Sequence, residues 1–476
     1  CNDLKSFFFF FYHILLLLIV PLVFSSSFCF HKFGKEPPGP KSLPLAGNLL
    51  QLDLRRPWKT LLELSKKYGS LYTIYLGPKK VVVLAGYKTV KEALVNYAHE
   101  FGNRDQMLIM NEFNQGYGKK RIIHKMRRFA LTNLRDFGMG KRACEDKIIE
   151  ECHHLIGVIK KFKGEAFDSA LLLYCAISNI ICSMVYGSRF DYDDPVFFVQ
   201  SVKSTFMSLK TFFSQMYNQF PWKHTLGLLS HLKETLNPDK CRGVVDAFLT
   251  RRQSLEGSGI TNSHFHNENL LHTIMNLFAA GTDTTATTVR WGLLFMARYP
   301  KIQDKVQEEL RRVIGSRQAQ VEDRKNLPFT NAVIHETQRV ANISPVSLPH
   351  VAHKDVTFQG HFIKKGTTVY PLLASVLFDE SEWEHPHSFY PAHFLDKEGN
   401  FVKRDAFLPF SAGRRACPGE GLARMELFIF ITTLLQHFRF TPQAGVSQDE
   451  LDLSPAMGSS KRYRPSPHKL YTVSCM

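Results

Sequence analysis

The segment from Phe410 to Gly419, FSAGRRACPG, constrains this chain more than any other part of its sequence. Pro418 suits the first turn of a helix, so we expect Cys417 at about the N-cap of an apolar helix predicted from 421 to 438. Unused backbone N–H groups and the helix dipole stabilise a thiolate at that position. The segment therefore predicts an ionised cysteine at the start of the last long helix.

The other distinctive residues of this loop suit a flat ligand. Gly413 and Gly419 allow the backbone to come close to it, Phe410 can shield the sulfur, and Arg415 can meet a carboxylate. A cysteine alone would more often be a buried structural residue, but these five residue types at fixed offsets should occur by chance in roughly one chain in several thousand. The loop predicts a thiolate bound to a metal beneath a planar, anionic cofactor.

An uncharged apolar run from Phe7 to Phe24 is long enough to cross a bilayer. The alternative, a cleaved signal peptide, normally has a shorter apolar region. Lys32 and Lys35 follow the run, which by the positive-inside rule places the rest of the chain in the cytosol. We therefore predict a transmembrane anchor at 1–30, a basic, Pro- and Gly-rich hinge at 31–45, and a catalytic domain at 46–476.

Hydrophobic periodicity predicts a mainly α fold with small β-sheets. A hairpin is expected around Gly77 and Pro78, and a second strand region after Val356. Helices are expected at Trp58 to Lys67, Glu145 to Lys161, Ser169 to Tyr186, Asn267 to Tyr299, Pro300 to Ile314, Asn331 to Ala341 and Gly421 to Phe438.

The helix predicted from Asn267 to Tyr299 should run through the core, because its middle is apolar on every side. Within it, Ala280 to Thr285 (AGTDTT) combines poor helix formers with a carboxylate. We expect the helix to open locally there and to face a cavity.

The loop pattern FxxGxRxCxG resembles the haem-binding loop of the cytochrome P450 superfamily, and the surrounding sequence resembles its vertebrate microsomal family 2. The similarity covers nearly the whole chain. Glu336-Thr337-Gln338-Arg339, Pro391 to Phe394, the AGTDTT helix and the anchor with its hinge follow the family's order. The resemblance implies one mainly α domain with haem, iron protoporphyrin IX, between the central helix and the cysteine-loop helix.

Residue roles follow from the same resemblance. Cys417 would ligate the iron, and Thr284 with Asp283 would pass protons to bound oxygen. Glu336, Arg339 and His393 would form a structural ion-pair cluster. The residues expected to meet the haem propionates are Arg127, His350 and Arg415, and those expected to line the substrate pocket are Phe278, Ala280 and Val346.

The activity implied is that of a monooxygenase in the endoplasmic reticulum membrane, acting on small lipophilic substrates such as fatty acids or xenobiotics. No GxGxxG loop is present, so the resemblance implies electrons from NADPH-cytochrome P450 reductase, with cytochrome b5 as a second candidate partner. The net charge of +17 is spread along the chain without a nucleic-acid-binding motif, so we expect no nucleic-acid partner.

Two other functions remain open from the sequence. One is a haem-thiolate isomerase that rearranges lipid peroxides without a reductase, against which Thr284 argues. The other is an inactive haem-binding membrane protein, because Ile123 stands where the family usually has Trp and the stretch from Tyr117 to Met126 is short and basic.

Overall fold

The computed structural model describes residues 35–54, 56–104, 120–139, 142–194, 241–260, 263–457 and 463–475, which fall into two compact units. The smaller unit is formed by the described parts of Cys1–Asp105, Pro345–Asp379 and Ser411–Arg415. The larger unit is formed by those of Gln106–Ser344, Glu380–Phe410 and Ala416–Met476. The prediction of a mainly α fold with small sheets is confirmed.

A five-stranded sheet organises the smaller unit. Helix α1 (Pro57–Tyr68) precedes strands β1 (Leu71–Leu76) and β2 (Lys79–Leu84), followed by α2 (Tyr87–Lys91) and β3 (Asn103–Arg104). After the chain returns, it adds β4 (His350–Val351), the separate pair β5 (Val356–Phe358) and β6 (His361–Ile363), then β7 (Thr368–Pro371) and the short helix α10 (Ala374–Leu377). The strand order is β1-β2-β7-β4-β3.

The predicted hairpin is confirmed. Strands β1 and β2 are antiparallel, with Leu71 opposite Leu84, and Gly77 takes a positive φ of 62° in the turn between them. Apolar side chains of both strands pack with Leu61 of α1 into a small core. Strand β2 also pairs in parallel with β7, which links the two chain segments of the unit.

The described end of the predicted hinge lies against the smaller unit. The carbonyl of Pro38 accepts a hydrogen bond from the Thr73 backbone N–H at 2.7 Å, and the carbonyl of Lys35 accepts one from Phe362 at 2.9 Å. A side chain at Gly39 would place its Cβ 2.0 Å from the Thr73 carbonyl oxygen, so only glycine fits. The hinge thus adds backbone hydrogen bonds at two places.

The larger unit is helical. Its helices are α3 (Lys120–Asp136), α4 (Arg142–Lys160), α5 (Ser169–Val185), α6 (Val244–Gly257), α7 (Asn267–Arg298), α8 (Pro300–Val313), α9 (Pro328–Ala341) and α11 (Glu420–His437). Each predicted helix is present within about three residues of its expected bounds. Strands β8 (Phe438–Pro442) and β11 (Leu470–Ser474) form one pair, and β9 (Pro455–Met457) and β10 (Tyr463–Pro465) another.

Helix α7 crosses the core of the larger unit as expected, and its later half is buried almost throughout. The predicted opening of this helix is wrong, because α7 is continuous from Asn267 to Arg298. Gly281 is explained by packing instead. A Cβ there would lie 2.6 Å from Cδ1 of Ile181 on α5, so glycine allows the two helices to approach closely.

No helix within the described ranges is both long and apolar enough to cross a membrane. The predicted anchor at 1–30 and the first hinge residues, 31–34, lie outside the residues that the structure describes. The side chain of Ile123 is also outside them, although the backbone of α3 is described from Lys120.

Candidate functional site

The cysteine loop of the larger unit presents the Cys417 side chain at the surface of the described structure. Its backbone N–H donates to the carbonyl of Phe410 at 2.9 Å, which closes the loop ahead of α11. The expected N-cap position is wrong by two residues. Pro418 and Gly419 form a turn, and Gly419 is the N-cap, with its carbonyl accepting the helix's first backbone bond from Ala423 at 2.9 Å.

Phe410 is supported from the side of α11. The guanidinium of Arg424 lies over the Phe410 ring, 5.3 Å from its centroid, and donates to Nε2 of His335 on α9 at 2.9 Å. Because Nδ1 of His335 bonds the carbonyl of Asn331, Nε2 is the accepting nitrogen. Burial lowers the pKa of His335 to about 3, which keeps the ring neutral. Sequence reasoning missed Arg424 and His335.

In the smaller unit, Gly413 and Arg415 lie in a short 3₁₀ turn. Gly413 has a φ of 69°, and a Cβ there would lie 1.8 Å from the carbonyl oxygen of Leu94. Arg415 donates from Nε to the carbonyl of Gly102 at 2.7 Å, while Arg104 donates to the carbonyl of Arg415 at 3.0 Å. Arg104 and Arg415 thus form a basic cluster in the smaller unit, and the sequence patterns did not identify Arg104.

His350 belongs to the same basic cluster. Its Nδ1–H donates to the carbonyl of Phe101 at 2.6 Å. Burial, followed by the nearby charge of Arg104, lowers the pKa of His350 to about 4, so the ring is neutral at pH 7. Its Nε2 atom is buried and has no partner among the residues that the structure describes.

Asp283 and Thr284 are adjacent on α7 but have different surroundings. The Thr284 hydroxyl donates to the carbonyl of Ala280 at 2.8 Å, as threonines in helices often do. Asp283 is fully buried and accepts hydrogen bonds from the Tyr174 hydroxyl and from Arg464, the latter at 2.7 Å. Asp283 therefore has a buried ion pair that its local sequence did not indicate.

Glu336, Arg339 and His393 are brought together in the larger unit. Arg339 donates two hydrogen bonds of 2.8 Å to the Glu336 carboxylate, and both side chains are fully buried. Nε2 of His393 accepts from the His385 backbone N–H, so its Nδ1–H donates to Glu336 at 3.2 Å. Arg339 also donates to the carbonyls of Pro386 and Ser388. Each charged group is satisfied, as buried charges require.

A buried acid connects the cysteine-loop helix with the central helix. Glu426 on α11 accepts a hydrogen bond from the Thr285 hydroxyl of α7 at 3.1 Å. Burial raises the pKa of Glu426 to about 8, so the side chain is largely a neutral acid at pH 7. In the sequence, Glu426 stands within the apolar run MELF, and nothing in that run indicated a functional role.

The remaining predicted residues lie on several different elements. Phe278 is buried in the larger unit, with its ring centroid 6.1 Å from that of Tyr186. Ala280 is exposed on α7, and Arg127 is half-buried on α3. Val346 belongs to the smaller unit and packs against the core of that unit.

The chemistry of each unit, taken separately, fits one part of an anionic, metal-containing cofactor. The loop offers an accessible thiol, a soft ligand for iron, on a backbone fixed by its own hydrogen bonds. The smaller unit offers cationic and imidazole groups, and a carboxylate brought to the unpartnered Nε2 of His350 would raise the pKa of that ring and share its proton.

Comparisons with known proteins identify the family. The family model described as Cytochrome P450 matches residues 37–466. The chain is 58% identical over 480 residues to Cytochrome P450 2K4 of Oncorhynchus mykiss, covering 96% of this chain and 95% of that protein. It is 53% identical to Cytochrome P450 2K6 of Danio rerio, covering 90% of each chain, and 41% identical to Cytochrome P450 2B4 of Oryctolagus cuniculus, covering 91% of this chain and 93% of that one. The chain therefore belongs to the cytochrome P450 family, and it is a haem-binding monooxygenase.

Proposed function

We propose that this chain is a membrane-bound monooxygenase that hydroxylates small lipophilic substrates, fatty acids or xenobiotics, with O₂ and electrons from NADPH. The observation that carries the proposal is the accessible Cys417 thiol in a loop of the family's pattern, within a chain that matches the family over residues 37–466. The same match supports NADPH-cytochrome P450 reductase as the electron donor, with cytochrome b5 as a second partner.

Cys417 is the proposed iron ligand, and haem bound through a thiolate supplies the activation of O₂. Phe410 fixes the cysteine backbone through its carbonyl. The proposed propionate partners are Arg127, His350 and Arg415, and Arg104 joins them because it bonds directly to the Arg415 carbonyl. Glu336, Arg339 and His393 are proposed to stabilise the fold that holds the cysteine loop.

Thr284 is the proposed proton-handling group. Its hydroxyl proton is engaged by the Ala280 carbonyl, but the oxygen keeps lone pairs that can accept a hydrogen bond from water. A water held there can pass a proton onward, and Asp283 is the neighbouring acid. This role requires Asp283 to exchange protons despite its ion pair with Arg464.

The proposed substrate pocket includes Phe278, Ala280 and Val346. Their side chains are apolar, which suits the hydrocarbon part of a lipophilic substrate. Of these, Ala280 is the most accessible in the described structure and adjoins the turn that carries Thr284.

The membrane assignment rests on the apolar run from Phe7 to Phe24. We propose an anchor in the endoplasmic reticulum with the catalytic domain in the cytosol. Extraction of microsomes with alkaline carbonate should leave the protein in the membrane, and protease added outside intact microsomes should digest it. Release by carbonate would contradict the anchor.

The first test is the spectrum of the reduced protein with carbon monoxide. We expect the red-shifted Soret band of a thiolate-ligated haem. Cys417→Ser should abolish that band, whereas Cys475→Ser, which removes another exposed thiol, should preserve it. Equal haem spectra for both variants would contradict Cys417 as the ligand.

Turnover then separates the remaining functions. Purified protein with reductase and NADPH should hydroxylate members of a panel of saturated fatty acids and neutral aromatic compounds, and oxygen-18 from O₂ should appear in the product. Consumption of a lipid hydroperoxide without NADPH, unaffected by Thr284→Ala, would instead indicate a peroxide isomerase. Haem binding without either reaction would indicate an inactive protein.

A further inference from the structure

The buried carboxylate of Asp283 is one end of a larger polar cluster in the larger unit. Arg464, on β10, bonds Asp283 at 2.7 Å and also lies over the ring of Tyr174, 5.7 Å from its centroid. One helical face of α7 continues the cluster, because Thr287 lies one turn and Arg290 two turns beyond Asp283. The cluster therefore follows α7 away from the AGTDTT segment.

The other end of the cluster reaches solvent. Arg290 donates to Asp168 at 2.9 Å, and Asp168 is the N-cap of α5. The exposed side-chain fraction is 48% for Asp168, 10% for Arg290, 15% for Arg464 and zero for Asp283. Two arginines and two aspartates thus form a neutral series of charges that begins at the surface and ends in the core.

His468 lies beside the outer ion pair. Its Nδ1–H donates to the carbonyl of Ser466 at 2.7 Å, which leaves Nε2 as an acceptor. Burial, together with the charge of Arg290, lowers the pKa of His468, so the neutral ring is favoured.

Three buried polar atoms around the outer ion pair of Arg290 and Asp168 have no partner among the residues that the structure describes. They are Ser169 Oγ, Arg290 Nε and His468 Nε2. Buried polar atoms are nearly always satisfied by protein or by ordered water. Arg290 Nε–H is a donor, His468 Nε2 is an acceptor, and the Ser169 hydroxyl can be either, so their chemistry is complementary to that of water.

We propose that Ser169, Arg290 and His468 bind a buried water, and that this hydrated cluster couples the Asp283 carboxylate to solvent at Asp168. The proposal rests on the proposed proton-handling role of Asp283 and Thr284. Arginine does not release its proton, so the water carries it. His468 holds that water by accepting a hydrogen bond from it, while Arg290 and Arg464 hold the carboxylates in place. Asp283 takes up a proton that the water delivers from solvent and passes a proton to the water at Thr284, so the carboxylate ends in the protonation state in which it began.

The direct test is a crystal structure of the haem-loaded protein at a resolution that shows ordered water. We expect a water within hydrogen-bond distance of both Arg290 Nε and His468 Nε2. The proposal would be overturned if no water lay between Arg290 Nε and His468 Nε2, or if a protein atom bonded both nitrogens.

The functional test compares His468→Leu with His468→Gln, which keeps a side-chain acceptor. His468→Leu should slow NADPH-dependent hydroxylation on the order of tenfold and increase its solvent deuterium isotope effect, while His468→Gln should restore much of the rate. His437→Leu is a matched control, because His437 is also half-buried and bonds a backbone carbonyl, that of Thr433, at 2.9 Å.

The two proposals can fail separately. If the wild type lacks the carbon monoxide spectrum or NADPH-dependent turnover, the proposed function fails. If the wild type is active and His468→Leu matches it in rate and isotope effect, the solvent route is wrong. A loss in His468→Leu that His468→Gln does not relieve would also overturn the route, because it would reflect packing.

Discussion

Replacing Glu426 by Gln should make the protein more stable at neutral pH. The structure holds Glu426 as a buried acid whose pKa is raised to about 8 from an ordinary value of 4.5, mainly by burial. Below pH 4.5 the group is protonated in both the folded and the unfolded chain, and it has no effect on the pH dependence of stability. As pH rises from 4.5 towards 8, Glu426 ionises in the unfolded chain before it ionises in the folded protein, and this difference favours unfolding.

The magnitude follows from the two pKa values. Between pH 5 and pH 7 the unfolded carboxyl loses its proton while the folded one largely keeps it, which should lower the free energy of unfolding by about 2.5 kcal/mol. Glu426→Gln cannot ionise but keeps an oxygen that can accept from Thr285. The free energy of unfolding of the variant should not fall in this way. The difference in that free energy between variant and wild type should therefore grow by about 2.5 kcal/mol, in favour of the variant, from pH 5 to pH 7.

The assay is urea unfolding of purified protein in detergent, followed by far-ultraviolet circular dichroism at several pH values. Glu420→Gln is the matched control on the same helix, because 39% of the Glu420 side chain is exposed and it is paired with Arg424. A constant difference between wild type and Glu426→Gln from pH 5 to pH 7 would show that Glu426 is ionised in the folded protein, and the reasoning would be wrong.

Three further substitutions test the packing of the site, each by its free energy of unfolding. Gly413→Ala should cost about 3 kcal/mol, because its Cβ meets a backbone oxygen, whereas Gly366→Ala, at a φ of 85° in open space, should cost about 1 kcal/mol; equal losses would refute the steric argument. Gly281→Ala should cost about 1–2 kcal/mol, and adding Ile181→Val, which removes the clashing Cδ1, should recover part of that loss. If the losses of the two substitutions simply add, the proposed clash is wrong. Arg339→Lys should cost about 3 kcal/mol by leaving buried oxygens unsatisfied, and a loss under about 1 kcal/mol would contradict the role of its forked hydrogen bonds.

Local patterns predicted much of the fold. Periodic apolar residues located the helices, because a helix repeats its buried face every three to four residues. The hairpin was predictable for a similar reason, since alternating residues on both sides of Gly77-Pro78 reflect the two faces of a sheet. Helix ends were less exact. Pro418 suits the first turn of a helix and the turn before the N-cap equally well. The first helical hydrogen bond, from the Ala423 N–H to the Gly419 carbonyl, decides between them.

The local sequence could not predict interactions that join distant segments. Asp283 and Arg464 are 181 residues apart, and no spacing rule relates them. From its own segment, Asp283 was an unexplained buried charge, and a locally opened helix was the expected explanation. The structure shows a continuous helix whose carboxylate is compensated from β10. Arg104 was missed for a similar reason, because its partner Arg415 comes from the far end of the chain.

The contact between the predicted hinge and the smaller unit limits how the chain can be shortened for crystallisation. Lys35 and Pro38 supply carbonyl acceptors for Phe362 and Thr73, and Gly39 fits closely against the same strand. A version that begins at Lys41 would leave those two amides without their acceptors and would expose one edge of β1. A soluble form should therefore keep every residue from Lys35 onward.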